Sequence, residues 1–236
     1  MTTMKKFFVL LFIIMMLFCS MILIKSPAVS VFNQSANTTD KTFTVVIDAG
    51  HGGFDSGKVG IDGTLEKDIN LSISKKLQKL LCAADIEVLM TRTEDTELSG
   101  NSAQNQKRQD MLNRASFMNQ ANADCIISIH QNSYPEESID GAQVFYYTGS
   151  DSGHSLAALI QNALIHDADP SNHRTEKSND SYYLFKNVST PVVIVECGFL
   201  SNFKESKKLV DDTYQQKLAW AIHIGILQYL NGVIPN

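Results

Sequence analysis

The chain has 236 residues and a net charge of −5, so the overall electrostatic footprint of a nucleic-acid-binding protein is absent and no nucleic-acid partner is expected. Beyond an N-terminal segment about 200 residues remain, the size of one ordinary domain that can bury a core without staples.

Lys5 and Lys6 precede an apolar run from Phe7 to Ile24, broken only by Ser20 and followed by Lys25. A positive start and a long apolar stretch address the chain to the membrane, so residues 1–25 read as a signal peptide or an N-terminal anchor and the remainder as exported. Ala28, Val29 and Ser30 offer a cleavage site, whereas the 18-residue run is long enough to stay as a spanning anchor through residues 7–24 and tilts the reading that way. Phe18 before Cys19 is too large for a lipoprotein signal. Residues 26–41 form a polar linker, and residues 42–236 a single domain.

Within that domain the patterns alternate. Phe43 to Ile47 is a β-branched run stopped by glycines, which predicts a buried strand. Leu65, Ile69, Ile73, Leu77 and Leu80–Leu81 recur at helical spacing up to Ala83, with Thr64 as the expected N-cap. Ile86–Met90 reads as a strand, and residues 104–121 as a helix on Met111, Leu112, Ala115 and Met118. Strands follow at Cys125–Ile129 and Ala142–Tyr147, a helix at Leu156–Ile165, a strand at Val192–Val195 and a closing helix at Gln215–Leu230. This alternation predicts an α/β fold: a mostly parallel, twisted sheet with helices on both faces.

Three of the strands run into polar residues of related chemistry. The first leads to Asp48-Ala49-Gly50-His51-Gly52-Gly53, the central one to His130-Gln131-Asn132-Ser133, and the last to Glu196-Cys197-Gly198. Sites in open α/β sheets form beyond the carboxyl ends of the strands, and Glu66 begins the helix near that same edge. A catalytic zinc takes three protein ligands and keeps one position open; a carboxylate off the metal can then carry a proton. His51, Glu66 and His130 suit the first role and Glu196 the second. Each residue has a plainer alternative. A strand-end histidine can be a hydrogen-bonded structural group, and Glu66 a first-turn acid favouring the helix dipole.

These words, in this order, resemble the zinc N-acetylmuramoyl-L-alanine amidases of the bacterial cell wall, of the amidase-3 type. The likeness is carried by Val45-Val46-Ile47-Asp48-Ala49-Gly50-His51-Gly52-Gly53, Leu65-Glu66-Lys67-Asp68 and Ser128-Ile129-His130-Gln131-Asn132-Ser133. It ends on Pro191-Val192-Val193-Ile194-Val195-Glu196-Cys197-Gly198-Phe199-Leu200-Ser201-Asn202, and it spans residues 43–232. Leu112 and Arg114 sit where the family tends to carry a Leu and an Arg. The resemblance implies Zn2+ at His51, Glu66 and His130, with Glu196 as catalytic acid and base. It implies hydrolysis of the amide between the muramic acid lactyl group and L-alanine. Arg174 and Lys177 resemble a basic pair facing the glycan–peptide groove, and with Asn132 they are the expected substrate contacts. A bare catalytic domain behind an export segment looks like the CwlD-type amidases of endospore formers. That points to spore cortex, muramic δ-lactam formation and germination; an accessory protein stays open. A vegetative cell-separation amidase, or an inactive peptidoglycan-binding domain, is the alternative.

Other readings are weaker. A dinucleotide loop at Gly50-x-Gly52 has Asp55 where its third glycine belongs. A cysteine peptidase using Cys197 and His130 would place Glu196 beside the thiol, which raises its pKa. Cys82, Cys125 and Cys197, an odd set, read as small buried hydrophobes. Trp220, Tyr229 and His223 read as core, and Lys204, Lys207 and Lys208 as a solvated helix face. His154 and His166 read as solvated. His173 could line the groove, and Tyr182 and Tyr183 fit either core or groove.

Overall fold

The computed structural model describes residues 42–100 and 105–235. The export segment and the linker expected over residues 1–41 lie outside the described residues. Among the described residues no helix is long and apolar enough to cross a membrane.

The strands are β1 (Thr44–Ala49), β2 (Glu87–Met90), β3 (Cys125–Asn132), β4 (Gln143–Tyr147), β5 (Lys177–Asn179) and β6 (Val192–Phe199). They form one six-stranded sheet in the order β2-β1-β3-β6-β4-β5. β2, β1, β3 and β6 are mutually parallel, while β4 is antiparallel to β6 and carries the short edge strand β5 parallel to itself. The helices are α1 (Glu66–Ala83), α2 (Gln106–Gln120), α3 (Asp151–Ala163, continued by a π turn over Leu164–Ala168), α4 (Tyr183–Asn187), α5 (Phe203–Leu209) and α6 (Asp212–Leu230).

Alternation along the strands divides the core into two layers. Val45, Ile47, Cys125, Ile127, Ile129, Val193, Val195 and Cys197 project to one face, where α1, α3 and α6 bury Ile73, Leu77, Ile160 and Ile222 on them. Val46, Ile126, Phe145, Val192 and Ile194 project to the other, under Ala115 and Met118 of α2 and Leu184 and Phe185 of α4. The expected helices on both faces are therefore present. The same period of two puts Asp48, Ser128, His130 and Glu196 on the α2/α4 face, at the carboxyl edge of the parallel strands, with His130 and Glu196 adjacent in register.

Three local expectations are corrected. Thr64 does not cap α1: Leu65 takes the N-cap position without a side-chain bond. The preceding loop does the work instead, because the Lys58 and Ser56 carbonyls accept from the Glu66 and Lys67 N–H groups and satisfy donors a cap would otherwise take. Cys82 is exposed, not buried; it follows the inward residue Leu81 by one position and so turns away from the core. Trp220 is 47% exposed, lying beside the His223 ring on the outer side of α6. His223 itself is buried, as are Cys125 and Cys197.

Candidate active site

The site begins with the turn that ends β1. His51 has φ 59°, in the left-handed region that non-glycine residues seldom occupy. Two buried arginines hold that turn by its carbonyls. Arg92 donates from Nε to Ala49 O at 2.9 Å and from Nη2 to Gly50 O at 3.1 Å. Arg114 donates to Ala49 O at 3.0 Å and to His51 O at 2.7 Å. Arg114 is compensated by Asp48 and Asp110, each 2.6 Å away. Burial alone would disfavour the ionised form of Asp48, but the Arg114 charge and the Ser128 and Thr91 hydroxyls outweigh it and hold its pKa low. Gly50 leaves room for His130: a Cβ there would lie 2.3 Å from His130 Cε1.

Glu66 stands between the two histidines. His130 Nδ1 is 3.0 Å from its Oε1 and His51 Nε2 is 3.3 Å from its Oε2. The carboxylate also accepts from the N–H groups of Lys58 at 2.8 Å and Gln131 at 3.0 Å. It is 3% exposed. Burial works against its charge, but the hydrogen bonds and charges of His130 and His51 prevail and hold its pKa far below the usual carboxylate range. For His130 burial likewise opposes charging, and the hydrogen bond and charge of Glu66 reverse this and raise its pKa. The other ring nitrogen of His51, Nδ1, lies 2.9 Å from Asp55 Oδ2, an arrangement that sets which nitrogen faces inward.

One ligand atom from each of His51, Glu66 and His130 lies within 4.8 Å of the others. Two imidazoles and a carboxylate, with a second carboxylate orienting one imidazole, are a donor set that fits zinc. Beside them opens a cavity of about 310 Å³, whose lining includes His51, His130 and Glu196 together with Met111, Tyr182, Tyr183, Leu184 and Ile194. Glu196 is 8% exposed. Its buried Oε2 has no hydrogen-bond partner among the described residues. Burial pushes its pKa up to about 7, against the partial relief of the His130 charge. A carboxyl group of this kind can exchange a proton near neutral pH.

A sequence model of the N-acetylmuramoyl-L-alanine amidase family matches residues 45–228. The chain belongs to this family. It is an N-acetylmuramoyl-L-alanine amidase. It is 35% identical over 188 residues to the germination-specific N-acetylmuramoyl-L-alanine amidase of Bacillus subtilis (strain 168), covering 78% of each chain. Among solved structures it is similar to the CwlD amidase from Clostridioides difficile in complex with the GerS lipoprotein. That match has 40% identity and a TM-score of 0.78, over 80% of this chain and 99% of that one. It is also similar to an N-acetylmuramoyl-L-alanine amidase from Clostridium difficile 630, at 32% identity and a TM-score of 0.72, over 81% of this chain and 98% of that one.

The structure thus brings together His51, Glu66, His130 and Glu196, the four residues singled out in the sequence. Asn132, Arg174 and Lys177 do not line the cavity. The Asn132 Oδ1 accepts from the Ser133 N–H at 2.7 Å. Arg174 donates to Asp140 O and Gln143 Oε1 and lies over the Phe199 ring, and Lys177 is exposed on β5. His173 is exposed and away from the cavity, whereas Tyr182 and Tyr183 both line it. Cys197 points into the opposite core layer, and burial pushes its thiol well above the ordinary range, which removes it as a nucleophile. Sequence reasoning missed Asp55 and Arg92. The spacing of Asp55 from His51 is the one signal that could have found it, whereas nothing local ties Arg92 to a turn more than 40 residues away.

Proposed function

We propose that this amidase is a zinc enzyme in which His51, Glu66 and His130 hold the ion and Glu196 carries the proton. The observation behind this is the convergence of the three ligand atoms beside a cavity in whose wall a buried carboxyl group stands without a hydrogen-bond partner. When bound, zinc supplies Lewis acidity toward the scissile carbonyl and the attacking water.

The chain's own groups do the rest. Asp55 keeps the His51 ring turned inward, and Arg92 and Arg114 hold the turn that presents it. The ionised Glu196 takes a proton from the attacking water as oxygen bonds to the lactyl carbonyl carbon. It returns that proton to the L-alanine nitrogen as the C–N bond breaks. The products are a muramic acid lactyl carboxylate and a free stem peptide. The apolar wall of Met111, Leu184 and Ile194 limits water around Glu196 and so keeps its basicity close to working pH. Asn132, Arg174 and Lys177 are proposed to contact the glycan–peptide strand where it leaves the cavity.

We further infer a role in spore cortex peptidoglycan, where removal of stem peptides precedes muramic δ-lactam formation and germination. The germination-specific relative and the CwlD structure support this. An exported enzyme, anchored or cleaved at its N-terminus, is the matching location, because the substrate lies outside the cytoplasm. The complex of CwlD with the GerS lipoprotein supports an accessory protein here as well. Mass spectrometry of purified peptidoglycan incubated with the zinc-loaded protein tests the reaction. Loss of whole stem peptides from intact muramic acid is expected; cleavage inside the peptide or the glycan would overturn it. In spores, deletion of the gene is expected to remove muramic δ-lactam from cortex muropeptides, and a normal δ-lactam content would exclude the cortex role.

A further inference from the structure

Four residues account for the metal and the proton, but none of them supplies a neutral hydrogen-bond donor for the oxygen that becomes negative when the amide is attacked. Such donors are commonly worth a large part of the rate in acyl transfer. The cavity lining holds three hydroxyl side chains, Ser181, Tyr182 and Tyr183, and of these Tyr182 has its ring packed against two buried aromatics.

Its position is set by three independent contacts. Tyr182 occupies the N-cap position of α4, and its N–H donates to Asn179 Oδ1 at 3.2 Å. Its ring meets Phe145 edge-on at 5.8 Å and Phe185 at 5.4 Å, so the ring is clamped between two buried aromatics. Phe145 in turn pairs in register with Ile194, and Ile194 lies two residues before Glu196, on the same face of β6. The ring therefore stands over the patch of sheet from which Glu196 projects. No hydrogen bond to a protein group engages the Tyr182 hydroxyl among the described residues.

The electrostatics agree. Burial raises the Tyr182 pKa to about 12, and the negative charges of Glu196 and Glu66 add to the rise. The phenol is thus within the field of both carboxylates and keeps its proton throughout the neutral range. It is a donor there, not a base. Tyr183, its neighbour, also lines the cavity but has no such double aromatic clamp.

We propose that Tyr182 is a further catalytic residue, whose hydroxyl donates a hydrogen bond to the scissile carbonyl oxygen as that oxygen gains negative charge. It keeps its proton through the reaction; Glu196 still moves the proton from water to nitrogen. This rests on the amidase reading of the site given above.

The test is Tyr182→Phe in the zinc-loaded full chain, assayed on soluble glycan–stem-peptide fragments of purified peptidoglycan. Phe retains the ring between Phe145 and Phe185, so folding and zinc content should match the unaltered enzyme. A fall in kcat of about 10²–10³-fold, with KM within about threefold, is expected for loss of a donor used in the transition state. A kcat within twofold of the unaltered enzyme overturns the proposal. So does a change confined to KM, because Tyr182 would then only bind substrate. Glu196→Gln, run in parallel, separates the two assignments. If that variant turns over normally, the role of Glu196 fails, while Tyr182→Phe is still judged by its own kcat against the unaltered enzyme.

Discussion

Glu196 sits at the point where stability and chemistry conflict. Its carboxyl group is 8% exposed and its pKa is pushed to about 7 by burial. Replacement by Gln retains the shape and removes the proton acceptor, so turnover should drop about 10²–10⁴-fold with zinc content unchanged. Activity of the unaltered enzyme should decline on the acid side as the carboxyl protonates, and the residual activity of Glu196→Gln should lack that limb. Near-normal turnover of this variant would contradict the proton-carrying role. The same shift makes a stability prediction for the metal-free protein. A raised folded-state pKa means that the native state favours the protonated form, so this group's contribution is fully present below the unfolded value of 4.5 and is lost as pH rises through about 7. Metal-free Glu196→Gln should therefore be more stable than the unaltered chain at pH 8, by up to the order of 3 kcal/mol. That advantage should vanish by about pH 4. Urea unfolding at the two pH values measures it, and an advantage independent of pH would show that burial of the charge is not its origin. Asp55 offers a gentler perturbation. Asp55→Asn weakens the hold on His51 Nδ1 and should lower zinc affinity about 10–100-fold, readable by competition with a chelator; unchanged affinity would deny Asp55 its orienting role.

At the level of elements, the interior was more legible than the edges. β1, β3 and β6 announce themselves as β-branched runs because each is buried on both faces, and their polar ends mark the carboxyl edge where Glu66, His51 and His130 meet. β5 spans only Lys177–Asn179 and α4 only Tyr183–Asn187, too short for any periodicity to appear, and so the wall carrying Tyr182 could be read as core or groove alike. Arg114 was legible only as a family position. Its reason is tertiary: it joins α2 to the His51 turn. α6 was legible as a helix, but which side faces outward was not, because Trp220 follows a buried Ala219 in a helix apolar on nearly every side. Gly225 of α6 shows what decides that orientation. A Cβ there would lie 2.6 Å from Ile160 Cα and 2.8 Å from Ile160 N, backbone atoms of α3 that cannot turn aside. Helix propensity favours Gly225→Ala by about 1 kcal/mol, whereas overpacking of this kind costs about 1–3 kcal/mol. Backbone contact should win, and Gly225→Ala should lower the urea midpoint; a stabilised variant would mean that α3 and α6 separate more easily than their packing suggests.

For the whole molecule, the proposed ligand set would tie the metal to the fold. His51 lies beyond β1, Glu66 at the start of α1 and His130 on β3, so the three come together only when the sheet and α1 are assembled. An ion held by all three therefore binds the native state and has little hold on the unfolded chain, which makes its binding free energy available to stability. At a free zinc concentration about 100 times Kd the gain is about 2.7 kcal/mol. For a domain of this size, that corresponds to a rise in Tm of about 5–10 °C. The rise should disappear with a chelator and return when zinc is restored. It should shrink as the pH falls, because protons compete for the His130 ring, whose pKa Glu66 raises. His130→Ala should lose the rise altogether, and Glu196→Gln should keep it, because only the first removes a ligand. Gly50→Ala gives an independent check through geometry: its Cβ would collide with the His130 ring. The ring should be displaced and the zinc-dependent rise reduced, even though every ligand is still present. Differential scanning calorimetry of the four proteins, each with and without zinc, distinguishes these cases. A zinc-dependent rise that survived His130→Ala undiminished would place the ion elsewhere in the molecule.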